Sequence, residues 1–448
     1  MKVLLVCPEY KRLFKEIKGA EWISPPLGLA YLSAVLKQNG HEVRIIDMQT
    51  DSTNPIDLVH DFDVLGITST TPLINRALDI LGKAKLTNPD ILTVIGGAHA
   101  SALPSEVSME PPVDVVVYGE GEQTMKEICN KSELNSIKGI AFRSRINPPR
   151  ELIRDLDELP FPDMSQFDLS KYSHPLRRST SIPILTSRGC PYACVFCNKR
   201  IFGQHFRTRS PNNVVDEIEE RVNTINVTEF HIIDDQFIQD RERTIEICKE
   251  IVRRKMDIQW CCPNGVRADS IDANLVRHMK KAGCYSLSFG VESGCPRILR
   301  EINKQTTLKK IEDAVRVCKQ QGIETVAFFV IGFPSETEKD IKMTIEFAKR
   351  IRPDFVDFHL MIPLPATEVY DYYKSNNLLL ESDWSKFTFH DKPVFRNNHL
   401  SQRQLLLWYR KAYKSFYLDY KYLFSRLMKM KSISDIRNNI RGFLTVSK

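Results

Sequence analysis

A rhythm of short apolar runs separated by helix-length amphipathic segments constrains this chain more than any other feature. KVLLVC (2–7), VRIIDM (43–48), DVLGITS (63–69), LTVIGG (92–97) and DVVVYGE (114–120) are almost unbroken in their hydrophobicity. A strand with one wet face alternates, so these runs are buried on both faces, which predicts a parallel sheet with helices on each side. Between them lie helical stretches such as INRALDILGKAKL and PPLGLAYLSAVLKQNG, the latter with Pro25 or Pro26 at its entry and Gly40 at its C′ position. The result is a doubly wound module over residues 1–135, whose ligands are expected beyond the carboxyl ends of its strands.

Residues 136–180 lose the rhythm and carry the proline-marked DLDELPFPDMSQFD, a linker or strap. A second series then opens: IPILTSRG, TEFHIIDD, DIQWCC, YSLSFGVES, TVAFFVIGF and FVDFHLMIP, each separated from the next by a helical stretch. Six such units fall short of the eight, over roughly 250 residues, of a closed barrel. A partial (β/α)6 barrel over 181–375 is the economical reading, with a helical, aromatic and basic region over 376–448.

Composition narrows the class. Hydrophobic residues make up 42% of the 448 and charged residues 27%, proportions of a globular protein. No apolar run approaches the roughly 18 residues that span a bilayer, and MKVLLVCPEY turns polar too soon for a signal peptide. A cytoplasmic location is therefore expected. The net charge of +7 gathers near the C-terminus and does not suggest a nucleic-acid partner. Eleven cysteines in such a chain do not form a disulfide framework, and Cys7, Cys129, Cys248 and Cys318 sit in apolar-periodic segments as core residues.

Three of the eleven stand apart, in RGCPYACVFCNKR (188–200). A structural zinc site takes four ligands, usually as two Cys-x2-Cys pairs, and no second pair lies near, although His205 offers a fourth. Cys190, Cys194 and Cys197 follow a barrel strand, at the face where barrel chemistry is done. Three thiolates there can hold three irons of a [4Fe–4S] cube and leave the fourth open.

Cys190-x3-Cys194-x2-Cys197, with Phe196 before the last cysteine, resembles the signature of the radical S-adenosylmethionine (SAM) enzymes. The resemblance implies that the methionine part of SAM chelates the open iron, and that one electron from the cluster cleaves SAM to a 5′-deoxyadenosyl radical. It places Glu292, in FGVES, where the family binds the ribose hydroxyls, and VIGFP, with Gly332, against adenine. Asp234 and Asp235 in HIIDDQF alternate in direction, so only one faces the barrel mouth and the other caps the following helix; Asp234 is assigned to the cofactor side. Asn264 and Arg267 in NGVRAD read as further polar contacts to SAM or substrate, or else as plain surface residues. FRTRSP (206–211) reads as a basic loop with Ser210 as N-cap and Pro211 at N1, or else as an anion clamp.

The first module sharpens this. PPLGLAYLSAVLKQNGHEVRIIDM, GITSTTPLINRA, VIGGAHASALPSE and DVVVYGEGEQT, all ahead of the triad, resemble the cobalamin-binding domain of the B12-dependent radical SAM family. The corrinoid would lie between module and barrel, its tail running into the sheet. Its lining would come from Ser69, Thr70 and Thr71, from Gly97 and His99, and from Gly119, Glu120, Gly121 and Glu122. The Asp-x-His-x-x-Gly of other cobalamin domains is missing, and His41 is a connector, which argues against a histidine below the cobalt. The implied activity is methylation of an unactivated carbon in a small-molecule or lipid-like substrate, with flavodoxin or ferredoxin as electron donor. A radical cyclase or ring-rearranging enzyme is the alternative, then a non-catalytic corrinoid or iron–sulfur sensor; tRNA methylthiolation lacks its auxiliary cysteines, which Cys261, Cys262 and Cys295 do not supply by spacing. The aromatic and basic LSQRQLLLWYRKAYKSFYLDYKYLFSRLMKMKS reads as a helix covering the open side of the barrel, with contact to a membrane surface as the other reading.

Overall fold

The structure, a computed structural model, describes residues 1–10, 23–172, 180–389 and 391–429. Residues 173–179 of the strap and the expected helical region beyond 429 lie outside the described residues.

Five parallel strands form the first sheet: β1 (Lys2–Cys7), β2 (Glu42–Asp47), β3 (Val64–Thr68), β4 (Leu92–Gly96) and β5 (Val115–Val117), in the order 2-1-3-4-5. Both faces are buried, as the unbroken apolar runs require. Leu4 and Val6 point into one hydrophobic layer with Ile46, Leu65 and Ile67, whereas Val3 and Leu5 point into the other with Val43, Ile45 and Val64. Because β1 pairs with both β2 and β3, the chain reverses direction of winding there, which opens a crevice at the carboxyl ends. The helix Leu27–Gln38 begins after Pro26 and ends in a Schellman turn, with Gly40 at φ +79°, its N–H on Lys37 O and the His41 N–H on Leu36 O.

The sheet runs past the 1–135 span read from the sequence. Strands β6 (Ile140–Phe142) and β7 (Arg145–Ile146) add an antiparallel hairpin beside β5. Its turn residues Arg143 and Ser144 both have positive φ, as a two-residue hairpin turn demands. Neither is the Asn or Gly that would have signalled the turn. The strap that follows is tied to the first module: Asp163 accepts from Ser33 and Lys37, both at 2.7 Å, and the buried Tyr172 donates to Asp47 at 2.7 Å.

The second sheet is a six-stranded parallel half-barrel. After β8 (Ser181–Ile184), two short segments, β9 (Ser187–Arg188) and β10 (Arg207–Thr208), pair with each other as an antiparallel ladder. Then come β11 (Glu229–Ile232), β12 (Gln259–Val266), β13 (Cys284–Glu292), β14 (Glu324–Ile331) and β15 (Phe355–Leu360), in the spatial order 15-14-13-12-11-8. Ser210 caps the helix Pro211–Ile225 with Pro211 at its first position, as FRTRSP suggested.

An open barrel leaves β15 with an unpaired edge. The helix Gln402–Tyr417 covers it, burying Trp408 and Phe416. The Tyr417 hydroxyl accepts from the Val356 N–H at 3.1 Å and donates to the Val356 carbonyl at 2.7 Å, and the Tyr413 hydroxyl accepts from the Phe358 N–H at 3.2 Å. Tyrosine hydroxyls thus stand in for a seventh strand. Among the described residues no helix is long and apolar enough to cross a membrane.

Candidate active site

The ladder β9–β10 closes residues 189–206 into a hairpin that carries all three cysteines of the triad. The hairpin is pinned to loops that leave the barrel strands. Val195 N–H donates to Ile302 O at 3.3 Å, Asn303 Nδ2 to Ala193 O at 2.9 Å, and Asn198 Nδ2 to Pro365 O at 3.0 Å. Phe196 packs its ring 5.7 Å from that of Phe333, next to Gly332. Cys190 and Cys194 are half-buried, and Cys197 faces a cleft shared with Cys194, Lys199 and Arg200. Desolvation raises the thiol pKa of Cys190, and of Cys197 to about 11. No set of three His, Cys, Asp or Glu side chains among the described residues gathers closely enough for one metal ion. A cube takes one thiolate per iron and so spreads its ligands over a wider frame than a single zinc ion does.

Around the hairpin the remaining sequence candidates fall into two groups. Arg267 is buried and already engaged: its guanidinium stacks 3.6 Å over the Tyr192 ring, within the cysteine loop, while it donates to Asp269 at 3.0 Å and to Gln305 O at 2.8 Å. Asn264 donates to Ile233 O at 2.7 Å. Asp234 is a correction: it is buried, and its oxygens accept from the Thr186 N–H, the Thr186 hydroxyl and the Ser187 hydroxyl, all at 2.6 Å. It ties β11 to the root of the cysteine loop, and both of its oxygens are engaged there. Asp235 is the member of the pair that faces the triad, where it acts on the thiols of Cys190 and Cys197. Neither caps the next helix; Asp240 does, accepting from Arg243 N–H.

Glu292 stands at a register shift between β13 and β14, in a left-handed backbone conformation (φ +64°) rare for a side chain of its size. The bulge turns its carboxylate toward Lys304, 2.7 Å away. Gly332 has φ +110°, as a glycine position should, but its open face is taken: an added Cβ would lie 2.7 Å from Phe395 Cζ. The close approach expected of adenine is made here by a ring from the C-terminal region, fixed by the Leu379–Phe395 bridge.

At the carboxyl ends of the first sheet lies a mainly apolar cavity of ≈ 270 Å³. Gly97, Gly119, Glu120, Gly121 and Glu122 line it from the first module, and Leu185, Arg188, Ile201, Phe202 and Ile233 from the barrel and cysteine hairpin. Gly97 (φ +94°) must be glycine, since a Cβ would meet Ser69 O at 2.7 Å. Ser69, Thr70, Thr71 and His99 sit behind this wall. Ser69 N–H bonds Gly96 O, Thr70 bonds Tyr10, and Thr71 bonds His99, whose ring meets Trp384 edge-on at 5.1 Å. Burial pushes the His99 pKa down to about 4.

One feature was not legible in the sequence. Arg188, almost wholly buried, donates to Glu120 at 2.9 Å and to Glu122 at 2.6 Å, while Arg207 also reaches Glu120 at 2.9 Å. Tyr31 and Phe202 flank the Arg188 guanidinium at 5.3 and 5.1 Å. The cysteine hairpin is thereby bonded to the cavity loop of the first module. The arginines of FRTRSP serve the protein's own carboxylates, Arg207 with Glu120 and Arg209 with Glu217.

Two buried polar atoms without partners bear on what the site holds: Glu122 Oε2, in the cavity wall, and Lys199 Nζ, in the cysteine loop. A corrinoid, apolar in its ring and rimmed with amide donors, suits the first; an anionic iron–sulfur cube suits the second. A corrinoid in that cavity and a [4Fe–4S] cluster on that triad would together make a B12-domain radical SAM enzyme. The comparisons agree. The B12 binding domain family matches residues 20–129, and the Radical SAM superfamily matches 184–348. The chain is 35% identical over 464 residues to an uncharacterized methyltransferase of Pyrococcus horikoshii, covering 100% of this chain and 98% of the relative. It is 30% identical over 443 residues to the anaerobic magnesium-protoporphyrin IX monomethyl ester cyclase of Rubrivivax gelatinosus, covering 94% of this chain and 78% of the relative. Its fold matches the cobalamin-dependent SAM radical enzyme OxsB, solved with aqua-cobalamin and SAM, with a TM-score of 0.76 at 19% identity over 99% of this chain and 70% of that one. The chain belongs to the cobalamin-dependent radical SAM enzymes, with cobalamin, SAM and a [4Fe–4S] cluster as its cofactors.

Proposed function

We propose that this enzyme methylates an unactivated carbon of a small-molecule substrate, and that Cys190, Cys194 and Cys197 hold its cluster. In such an enzyme the cluster's electron cleaves SAM to the hydrogen-abstracting radical, and the corrinoid supplies the methyl group. The observation that carries the reading is the shared wall: Arg188, Ile201 and Phe202 of the cysteine hairpin line the same cavity as Gly97 and Glu122. With the corrinoid in that cavity and the cluster on the triad, methyl donor and radical source would lie on either side of one loop, the proximity that a two-cofactor transfer needs. The methyltransferase relative supports the same reading.

Within it, Glu292 accepts the ribose hydroxyls of SAM, with Lys304 holding the carboxylate in place. Glu122 turns its unpartnered oxygen to a corrinoid amide, and Arg267 holds Tyr192 and so the shape of the cysteine loop. A one-electron donor of the flavodoxin or ferredoxin kind supplies the reducing equivalent.

The test is anaerobic reconstitution with iron, sulfide, hydroxocobalamin and SAM, followed by dithionite and a host extract. The expected result is 5′-deoxyadenosine together with a product heavier by one methylene unit. A second reading, ring formation without methyl transfer, has the cyclase relative in its favour. It predicts 5′-deoxyadenosine with no methylene gain.

A further inference from the structure

The cysteine loop contains a cation that nothing among the described residues neutralises through a hydrogen bond. Lys199 follows Cys197 by two residues, and its Nζ is buried without a hydrogen-bond partner. An ammonium has three donors and no acceptor, so leaving it dry and unbonded is costly. The loop's other buried cations are treated differently: Arg188 is matched by two carboxylates and Arg207 by one. Lys199 lines the cleft that also contains Cys194 and Cys197, and its charge acts on the sulfurs of Cys190 and Cys197 and on Asp235. It therefore stands against the place where three thiolates would carry the cluster.

We propose that Lys199 is a cluster-contacting residue that sets the reduction potential, its ammonium bonding the thiolate-ligated iron–sulfur core and favouring the form with one more electron. The inference rests on the cluster assignment of the proposed function. A thiolate-bound core becomes more negative when it takes an electron from the external donor, with no bond made or broken. A fixed positive charge beside it stabilises the reduced form more than the oxidised one, so the potential rises. Asp235 faces the same sulfurs, and burial and the neighbouring Asp234 raise its pKa, which disfavours its charged form.

The test uses the full chain, reconstituted anaerobically with iron and sulfide, as wild type, Lys199→Met, Lys199→Gln and Lys199→Arg. Iron and sulfide content is measured first, then the midpoint potential by a mediated dithionite titration read by electron paramagnetic resonance. The expected result is a cluster content equal to wild type and, for Met, about tenfold less reduced relative to oxidised cluster at the wild-type midpoint, a fall of about 59 mV for a one-electron couple. Arg restores the wild-type value. Gln guards against loss of the cluster in Met, since it keeps a donor without the charge and should fall as well. An unchanged midpoint in a cluster-replete Met or Gln variant overturns the proposal. A separate arm adds SAM: if Met weakens SAM binding while the midpoint stays, the ammonium serves the cofactor's carboxylate and the proposal is wrong. If wild type itself takes up no four-iron cluster, it is the proposed function that fails.

Discussion

Arg188 and Glu122, 66 residues apart in the chain, meet at 2.6 Å inside the wall that separates the cavity from the cysteine loop. The pair is one of the bonds, with Arg188–Glu120 and Arg207–Glu120, that join the first module to the half-barrel. Removing the cation alone would leave Glu120 with only Arg207 and Glu122 with no charge partner, both buried. Arg188→Met should therefore cost about 3–5 kcal/mol of stability, read from urea unfolding, and should lower cobalamin uptake as read from corrinoid absorbance. Arg188→Lys, which cannot span two carboxylates with a planar fork, should fall between the two.

The cysteines make the opposite case. Cys190 and Cys194 are half-buried and Cys197 faces a cleft, so their side chains add little to the core. Cys194→Ala should leave the melting temperature within a degree or two of the wild-type apoprotein, while iron uptake and 5′-deoxyadenosine formation are lost. Cobalamin binding should persist, because the triad does not line that cavity.

What could be read from sequence, and what could not, follows from range. The strands were legible because burial on both faces leaves a local mark, an unbroken apolar run such as VVV at 115–117. The triad was legible because its three members share one hairpin. The β6–β7 hairpin was not, since Arg143 and Ser144 adopt positive φ without the residues that usually announce it. The Arg188–Glu122 pair and the covering of Gly332 by Phe395 join distant segments, and no periodicity records them. Asp234 and Asp235 show a finer limit: alternation correctly says that the two diverge, but not which one faces the triad.

Glu336 gives a pH signature. It is wholly buried behind the Gly332 turn, where one oxygen accepts the Gly332 N–H at 2.6 Å and the other has no partner. Desolvation raises its pKa from 4.5 to about 8. The folded state therefore holds a proton that the unfolded state releases above pH 4.5. The stability from this group is full below the unfolded value and is lost as pH rises through about 8, at up to about 1.4 kcal/mol per pH unit. Glu336→Gln should flatten the unfolding free energy between about pH 5 and 8 relative to wild type, measured by denaturant titration across that range. An equal slope in the two proteins would contradict the assignment.

Tyr417 tests how the half-barrel survives being open. Its hydroxyl serves both the N–H and the carbonyl of Val356 on the edge strand β15, and a phenylalanine ring in its place would serve neither. The ring's packing is kept in Tyr417→Phe, so the loss isolates the hydrogen bonds: about 1–3 kcal/mol for the unpaired, partly buried backbone groups. Because the freed edge is the one available for strand pairing with a second chain, the substitution should also raise aggregation on heating, visible by light scattering. Tyr420→Phe, on an exposed side chain, is the control and should change neither quantity. If Tyr417→Phe matched it, the helix Gln402–Tyr417 would be holding β15 through apolar burial of Trp408 and Phe416 alone, and the hydroxyls would not be substituting for a seventh strand.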